Sequence, residues 1–244
     1  MALRTFVPAS LKILRGPRLW AMGSSLSHGR SLDVGQVGID RPDLGSWQDG
    51  PIDLRGWFGQ VGDAGADRPL ELEIGSGKGT FLVQAAIHSP EADFIGLEYA
   101  KTYWRFAADR CCRRRIENVR IVHAEATFFL RYFVPDATFR QIHIYYPDPW
   151  PKKRHHKRRL IQPDLLNQLY RILAAGGSVR IATDHEDYFQ WINQKVKQVA
   201  ELFEPQPFDS PASADPAERV GTNFERKYRQ QQRPFFGLIL CKRF

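Results

Sequence analysis

The chain has 244 residues, 43% of them hydrophobic, so it can bury one sizeable α/β core with or without a tail. Its net charge of +8, from 35 basic and 27 acidic side chains, favours a polyanionic partner because each neutralised phosphate releases condensed counterions. Three cysteines without a CxxC pair support neither a disulfide framework nor a zinc site, and the lack of an apolar run of ~20 residues argues against a membrane span.

Residues 1–50 lack sustained hydrophobic periodicity and are rich in Gly, Ser and Pro, so we expect a disordered or loosely ordered basic extension there. The first 32 residues contain no acidic side chain and carry several basic ones: Arg4, Lys12, Arg15, Arg18 and Arg30. This composition fits an organellar transit peptide, a disordered basic arm or a start codon placed too far upstream. We expect the folded domain to span residues 51–244.

From residue 70 the chain alternates short apolar runs with amphipathic segments, which predicts strands alternating with helices. The predicted strands are residues 70–74, 93–97, 119–122, 141–146 and 178–183. The predicted helices are residues 79–88, 101–115, 126–133, 163–173 and 186–203. Residues 204–220 are predicted as loop, and the last residues as a hairpin with 235–241 as one strand. This pattern predicts an α/β fold with a doubly wound, mostly parallel sheet and an antiparallel C-terminal hairpin.

The residues that follow the predicted strands are candidates for ligand binding, because ligands of doubly wound sheets bind beyond the carboxyl ends of the strands. They are the loop of residues 75–79, Glu98, Glu125, Asp148 and Asp184. In the loop, Gly75, Gly77 and Gly79 let the backbone approach a ligand without an intervening Cβ. Thr80 excludes the G-x-G-x-x-G dinucleotide fingerprint, and Gly79 stands where a P-loop requires Ser or Thr.

Glu98 ends the second predicted strand, one βαβ unit after the glycine loop. A carboxylate at this position can accept hydrogen bonds from both hydroxyls of a ribose. Taken alone, the glycine loop also fits a simple tight turn, and Glu98 also fits a solvated loop carboxylate. Their combination instead indicates a site for an adenosine-type cofactor.

Residues 145–159 combine a rigid acidic turn with a run of cations. They read Tyr-Tyr-Pro-Asp-Pro-Trp-Pro, followed by Lys-Lys-Arg-His-His-Lys-Arg-Arg. Three prolines fix φ, so the turn that carries Asp148 has few conformations and is preorganised. The cations can bind phosphates, and Trp150 can stack on a base. A solvated loop, a localisation signal or a simple turn would explain each part separately, but together, after the fourth strand, they indicate a nucleic-acid site.

With this motif, the sequence resembles the tRNA (guanine-N7-)-methyltransferase family of the single-chain bacterial type, over about residues 69–244. The run Pro-Asp-Pro-Trp-Pro-Lys-Lys-Arg-His-His-Lys-Arg-Arg is highly specific for that family, and the chain carries it whole at residues 147–159. A second family mark, Thr-x-Phe-Glu, occurs at residues 222–225. The resemblance implies a Rossmann-like class I methyltransferase fold, S-adenosylmethionine as cofactor, no metal, and tRNA as substrate.

The resemblance also implies roles for individual residues at the cofactor end. Glu73, Glu98 and Asp148 would line the S-adenosylmethionine site, together with the three glycines of the loop. Where the family usually has Asp after the third strand, this chain has Glu125, whose extra methylene changes its reach towards the adenine amino group. We expect Glu125 to bind that group nonetheless. The usual bacterial ending differs from residues 235–244, so no role is assigned there.

On the substrate side, the resemblance implies that six residues contact the guanosine: Lys152, Asp184, Thr222, Asn223, Phe224 and Glu225. Guanine N7 has an in-plane lone pair and no proton, so its methylation requires alignment with the methyl group rather than a general base. Attack places positive charge on the ring, which a carboxylate can stabilise while it accepts from the N1 and N2 hydrogens. We assign this catalytic role to Asp148, with Asp184 and Glu225 as helpers.

Six cations are expected to bind phosphates around the variable loop of tRNA, where the family's target guanine, at position 46, lies: Lys152, Lys153, Arg154, Lys157, Arg158 and Arg159. The guanine must leave its stack to reach the pocket. Arg113, Arg114 and Arg115 either extend this surface or offset a helix dipole. His155 and His156 have no acidic partner nearby in sequence, so we assign them neither metal binding nor base catalysis. We expect a cytoplasmic enzyme without membrane contact or an obligatory protein partner.

Three other functions remain compatible with parts of the sequence. Amino-group methyltransferases that act on adenine N6 use an Asn/Asp-Pro-Pro-aromatic turn, whereas here Trp150 follows Pro149 directly. A non-catalytic RNA-binding protein would keep the fold without methyl transfer, and the departure at Glu125 leaves this open. If the protein methylated a small molecule, the run of cations would have no clear purpose.

Overall fold

An eight-stranded sheet forms the centre of the computed structural model, which describes residues 31–59 and 68–244. Its strands are β1 (Gly38–Ile39), β2 (Leu70–Ile74), β3 (Asp93–Glu98), β4 (Val119–His123), β5 (Phe139–Tyr145), β6 (Leu173–Thr183), β7 (Phe203–Pro207) and β8 (Phe236–Lys242). Their order is β1-β4-β3-β2-β5-β6-β8-β7. Strands β1 to β6 are parallel, while β8 pairs antiparallel with both β6 and β7. This confirms the predicted fold class, including the C-terminal hairpin.

Helices flank the sheet: α1 (Thr80–His88), α2 (Lys101–Arg113), α3 (Ala126–Phe133), α4 (Pro163–Ile172), α5 (Glu186–Lys197) and α6 (Asn223–Gln230). Short 3-10 helices occupy Arg41–Leu44, Trp47–Asp49, Gly56–Phe58 and Lys153–Arg158. Pro163 takes the first position of α4, where its missing N–H leaves no intrahelical bond unmade. Among the helices of the described residues, none is long and apolar enough to cross a membrane.

Both faces of the parallel strands are buried, as expected for a sheet with helices on each side. One apolar cluster joins the sheet to α3, α4 and α5, and a second joins it to α1 and α2. Gly96 in β3 permits the close approach of α1, because a Cβ there would lie 2.4 Å from Cδ1 of Leu82. The two layers fix the positions of the strand ends at which the candidate site residues lie.

The C-terminal third differs from the prediction in two places. The helix predicted for residues 186–203 ends at Lys197, and β7 begins at Phe203. Pro205 and Pro207 favour the predicted loop, but β7 is the outermost strand, where proline costs no ladder hydrogen bond. Helix α6 was not predicted, because it buries only Glu225 and therefore shows no apolar stripe.

Residues 31–50 pack on the domain, in contrast to the loosely ordered extension predicted for residues 1–50. Strand β1 pairs with β4 at the edge of the sheet. Asp40 follows β1, and its Oδ1 lies 2.6 Å from Nδ1 of His123. A strand of two residues is too short to show the period-two pattern by which strands are predicted. The segment to which the transit-peptide and upstream-start interpretations apply lies largely in residues 1–30, outside the described residues.

Candidate active site

Neighbouring strands bring the predicted site residues to one edge of the sheet. The glycine loop follows β2, the turn with Asp148 follows β5, and Asp184 follows β6. Because these strands are parallel and hydrogen bonded in the order β2-β5-β6, their carboxyl ends lie next to one another at one edge of the sheet. Glu98, at the end of β3, and Glu125, shortly after β4, continue the same edge on the other side of β2.

The glycine loop has a backbone conformation that favours glycine. The φ angle is +83° at Gly75, +53° at Gly77 and +65° at Gly79. A Cβ placed on Gly75 would meet no atom within 4 Å in the described part of the chain, so that side of the loop is open to a ligand. A Cβ on Gly79 would lie 3.0 Å from Cβ of Ala107 in α2. The first glycine therefore suits ligand approach, and the last permits helix packing.

Glu98 connects the glycine loop to the end of β3. Its Oε2 accepts a hydrogen bond from the N–H of Gly77 at 2.8 Å, and its Oε1 accepts one from the N–H of Ala100 at 2.7 Å. Burial raises the pKa of the Glu98 carboxyl, and these backbone hydrogen bonds act in the opposite direction. A carboxylate has about four acceptor positions. Acceptor positions therefore remain for the ribose hydroxyls expected from the sequence.

Glu73 in β2 is buried, and its Oε2 has no hydrogen-bond partner among the residues that the structure describes. The buried Oγ of Ser76, in the glycine loop, is unpaired within the same set of residues. Burial raises the pKa of Glu73 well above its ordinary value, and the nearby Glu98 raises it further. Because folded proteins pair nearly all buried polar groups, these atoms fit a site that a polar, positively charged ligand completes.

Glu125 forms the N-cap of α3. Its Oε1 accepts from the N–H of Thr127 at 3.1 Å, and its Oε2 accepts from the N–H of Phe128 at 2.7 Å. The side chain is exposed at the strand edge. Both oxygens of Glu125 already accept hydrogen bonds from the helix. An adenine amino group would therefore have to donate to an oxygen that also caps the helix.

The turn after β5 is held in a strained conformation. Tyr146 and Trp150 have φ angles of +51° and +44°, a region that bulky side chains rarely adopt. The N–H of Tyr146 donates to the carbonyl of Ala182 in β6 at 2.8 Å, which fixes one end of the turn. Asp148 is exposed, yet the surrounding protein desolvates its carboxyl group and raises its pKa.

A cavity of about 290 Å³ lies beside this turn, with a lining that includes Tyr146, Glu225, Tyr228 and Arg233. The ring centroids of Tyr146 and Tyr228 are 5.6 Å apart, and the guanidinium of Arg233 lies 4.4 Å from the Tyr228 centroid. Nη1 of Arg233 also lies 2.6 Å from Oδ2 of Asp184. The aromatic faces suit a purine base, which can stack on them.

The segment Thr222 to Glu225 opens α6. Thr222 caps the helix by accepting from the N–H of Glu225 at 3.0 Å. The buried Glu225 carboxylate accepts from the N–H groups of Val220 and Gly221, each at 2.9 Å, and from that of Arg219. We therefore interpret Glu225 as a residue that holds the loop before α6. Its neighbours differ: Phe224 is exposed, and Asn223 is half-buried at the start of the helix.

The predicted phosphate-binding cations divide into two groups. Five are exposed: Lys152, Lys153, Arg154, Lys157 and Arg158. The guanidinium of Arg158 lies 5.1 Å from the ring centroid of Trp150. Arg159 is only 2% exposed. This burial disagrees with the predicted phosphate contact of Arg159, because its guanidinium is enclosed in the protein and paired with Asp187.

Known proteins similar to this chain identify its family. The family model described as "Putative methyltransferase" matches residues 67–238. The tRNA (guanine-N(7)-)-methyltransferase of Rhodopirellula baltica is 32% identical, over 96% of this chain and 89% of its own. The enzyme of the same name from Halorhodospira halophila is 36% identical, over 79% of this chain and 78% of its own. The chain belongs to the tRNA (guanine-N7-)-methyltransferase family.

Solved structures show the same fold. A SAM-dependent methyltransferase from Aquifex aeolicus matches with a TM-score of 0.50 and 12% identity, over 71% of this chain and 81% of that chain. A 16S rRNA methyltransferase matches with a TM-score of 0.50 and 14% identity, over 75% of this chain and 94% of that chain. As a member of the tRNA (guanine-N7-)-methyltransferase family, the protein is a methyltransferase with S-adenosylmethionine as its cofactor.

In this family member, most residues of the cavity were not predicted, among them Tyr146, Tyr228 and Arg233. Tyr146 directly precedes the Pro-Asp-Pro turn, so its position in the sequence was a usable signal. Tyr228 and Phe224 are four residues apart on α6, with ring centroids 5.9 Å apart, and a predicted helix would have placed them on one face. Arg233 has no local signal, because its partner Asp184 lies at the end of another strand.

Proposed function

We propose that the protein transfers a methyl group from S-adenosylmethionine to N7 of a tRNA guanine, the one at position 46 in the variable loop. The strongest support is the meeting of three features at neighbouring strand ends. The open glycine loop follows β2, the desolvated carboxyl of Asp148 follows β5, and the exposed cations follow directly after that turn. A small-molecule substrate would leave the cations without a function.

Glu73, Glu98 and the glycine loop form the part of the site that we assign to the cofactor. When bound, S-adenosylmethionine supplies an electrophilic methyl group on a positively charged sulfur. Glu73 can accept hydrogen bonds from the cofactor or offset its positive charge, since one of its oxygens is unpaired within the described chain. Glu98 holds Gly77 and retains acceptor positions for the ribose hydroxyls.

Asp148 is the residue that we assign to the guanine. Methylation leaves positive charge on the purine ring, and a nearby carboxylate stabilises that charge as it develops. The desolvation that raises the Asp148 pKa also strengthens its attraction to a positive ring, because the interaction is less screened than in water. The proline-rich turn supplies the alignment in advance. Tyr146 and Tyr228 offer aromatic faces on which the flipped purine can stack.

The five exposed cations of residues 152–158 bind the tRNA backbone in this proposal, and the net charge of +8 supports the encounter. The phosphate contacts fix the orientation of the tRNA, while the cavity selects the base. We further propose that the domain of residues 51–244, with the packed segment 31–50, acts in the cytoplasm without membrane contact or an obligatory protein partner.

The deciding experiment is methylation of unmodified tRNA transcripts, followed by nucleoside analysis with mass spectrometry. We expect 7-methylguanosine, and none from a matched transcript in which adenine replaces the guanine at position 46. If N6-methyladenosine appears instead, the protein is an amino-group methyltransferase. If no methylated nucleoside forms and calorimetry detects no S-adenosylmethionine binding, the chain is an RNA-binding protein that has kept the fold.

A further inference from the structure

Arg159 differs from the other cations of the run by being enclosed in the protein. Its side chain is 1% exposed, whereas the adjacent Arg158 lies on the surface. Its Nε donates a hydrogen bond to the carbonyl oxygen of Pro149 at 2.9 Å. Its guanidinium also forms an ion pair with Asp187 at the start of α5. A single side chain thus connects the acidic turn with a helix on the face of the sheet.

Two aromatic rings of α5 enclose the same guanidinium. Its Cζ lies 5.1 Å from the ring centroid of Tyr188 and 5.1 Å from that of Trp191. Both rings are themselves fixed to the chain after Arg159. Trp191 Nε1 donates to the carbonyl of Ile161 at 2.9 Å, and the Tyr188 hydroxyl accepts from the N–H of Ile161 at 3.2 Å.

We propose that Arg159 is a positioning residue, which fixes the turn carrying Asp148 against α5 and makes no contact with a tRNA phosphate. This inference rests on the proposed function, in which Asp148 acts on the guanine. Pro149, whose carbonyl Arg159 binds, directly follows Asp148 in the chain. A shift of that carbonyl therefore moves the carboxylate relative to the base.

The acidic turn needs a donor from outside because it has few of its own. Prolines at positions 147, 149 and 151 have no N–H with which to stabilise the turn. The positive φ angles of Tyr146 and Trp150 persist only where the surroundings hold them. Tyr146 is bonded to β6, and Arg159 supplies the corresponding contact near the other end, at Pro149.

Arginine suits this role better than lysine. A guanidinium presents donors in several directions within one plane and stacks on aromatic rings, so it can bind a carbonyl and a carboxylate while lying between two rings. The ammonium of lysine is a compact point charge that cannot fill the same space. The hydrogen bond from Arg159 also lowers the pKa of Asp187, so the partner stays ionised.

The test compares Arg159→Met and Arg159→Lys with the matched neighbour Arg158→Met, using filter binding of tRNA at several salt concentrations and single-turnover methylation. For Arg158→Met we expect weaker tRNA binding and a salt slope reduced by about one unit. For both Arg159 variants we expect a wild-type dissociation constant and salt slope, but a methylation rate on the order of a hundredfold lower, because misplacement by about 1 Å has that effect. Thermal melting and S-adenosylmethionine binding verify folding.

Two further experiments test the inference if Arg159→Met is unstable: a chemical rescue by guanidinium and the variant Asp187→Asn. Millimolar guanidinium should restore methylation to Arg159→Ala when ionic strength is matched with sodium chloride, and should leave Arg158→Ala unchanged. Asp187→Asn keeps the Pro149 contact and removes the ion pair, so we expect a rate loss of about threefold to tenfold without a change in the salt slope. If Arg159 were a phosphate contact, freeing it from Asp187 would steepen that slope.

The inference is overturned if the salt slope of tRNA binding falls in Arg159→Met as it does in Arg158→Met. It is also overturned if both Arg159 variants methylate at the wild-type rate. Failure of the proposed function is recognised separately, because wild-type protein would then produce no 7-methylguanosine. In that case the salt slopes still decide whether Arg159 contacts phosphate, and a slope that falls in Arg159→Met overturns the inference.

Discussion

The carboxylate of Glu98 accepts a hydrogen bond from the N–H of Gly77 at 2.8 Å, so the residue that ends β3 fixes the loop that follows β2. Its second oxygen binds the N–H of Ala100. The two parts of the cofactor site predicted from the sequence are therefore one hydrogen-bonded unit. The shape of the glycine loop depends on a charged acceptor outside the loop itself.

Glu98→Gln should weaken cofactor binding. In whichever way the amide is turned, its NH₂ group faces one backbone N–H, so the loop loses an anchor and the ribose loses an acceptor. A hydrogen bond to a charged group contributes about 1.5–3 kcal/mol. We expect S-adenosylmethionine affinity, measured by calorimetry, to fall roughly tenfold or more. Glu91→Gln, at an exposed position before β3, is the control and should bind normally. Equal affinities would contradict the role of Glu98.

Glu73→Gln should raise the stability of the cofactor-free protein in a pH-dependent way. Burial raises the pKa of Glu73 well above its ordinary value in the folded protein, whereas in the unfolded chain the carboxyl ionises at about 4.3. The free energy of unfolding therefore falls as pH rises from the unfolded-state pKa to the raised pKa of the folded state. Above the raised pKa it stays at this lower level. We expect the variant to melt above the wild type at about pH 8 and together with it at about pH 4.

The same variant should bind S-adenosylmethionine more weakly, because a neutral amide cannot offset the positive charge of the cofactor. Glu201→Gln, at an exposed position, serves as the control for both measurements. A melting difference that is the same at both pH values would show that Glu73 is not the group responsible.

Strands β2 to β6 and helices α1 to α4 were predictable because each is a buried pattern bounded by glycine, proline or polar residues. The bounds of these elements differ from the predicted ones by at most five residues, and the largest difference is the start of β6 at Leu173 instead of residue 178. Helix α6 and strand β1 were not predictable: the first buries only the carboxylate Glu225, and the second has two residues. Neither contains enough apolar positions to show a period.

The candidate site was predictable where its residues follow strands, and not where distant contacts decide the role. Glu98 and Asp148 were predictable because each lies at or shortly after the end of a predicted strand. Arg159 sits in a run of cations, and its burial depends on Tyr188 and Trp191, which come much later in the chain. Glu225 matches a family motif, but the structure shows that its oxygens bind the loop before α6. A motif gives the residue type and leaves its partners undetermined.

Glu125→Ala should reduce stability more than cofactor binding. The two oxygens of Glu125 accept from the N–H groups of Thr127 and Phe128, and loss of such an N-cap costs about 1 kcal/mol. We expect a lower unfolding midpoint in urea, with Glu125→Asp near the wild type because Asp also caps helices. S-adenosylmethionine affinity should change less than about twofold. A large loss of affinity in Glu125→Ala would instead support the adenine contact that the family resemblance implies.

Tyr228→Ala should weaken recognition of the target base. The Tyr228 ring lines the cavity and lies 5.6 Å from that of Tyr146, and stacking of a base on an aromatic ring contributes about 1–3 kcal/mol. We expect the KM for tRNA to rise about tenfold. Tyr228→Phe keeps the aromatic face that also contacts Arg233, so its KM should stay near the wild-type value. Equal KM values for the two variants would exclude stacking on this ring.

Asp148→Asn should slow methyl transfer. It should also remove the fall of the methylation rate at low pH that we expect for the wild type. Desolvation raises the pKa of Asp148, so in the wild type the carboxylate is lost when pH falls through that raised value, and the single-turnover rate should fall with it. The amide of the variant cannot stabilise positive charge on the purine at any pH. We expect a rate about a hundredfold to a thousandfold lower near neutral pH, without the acid limb that Asp148 causes. Asp164→Asn, at an exposed position on α4, should keep the wild-type profile. An unchanged acid limb in Asp148→Asn would assign that limb to another group, and a wild-type rate near neutral pH would also remove Asp148 from the reaction.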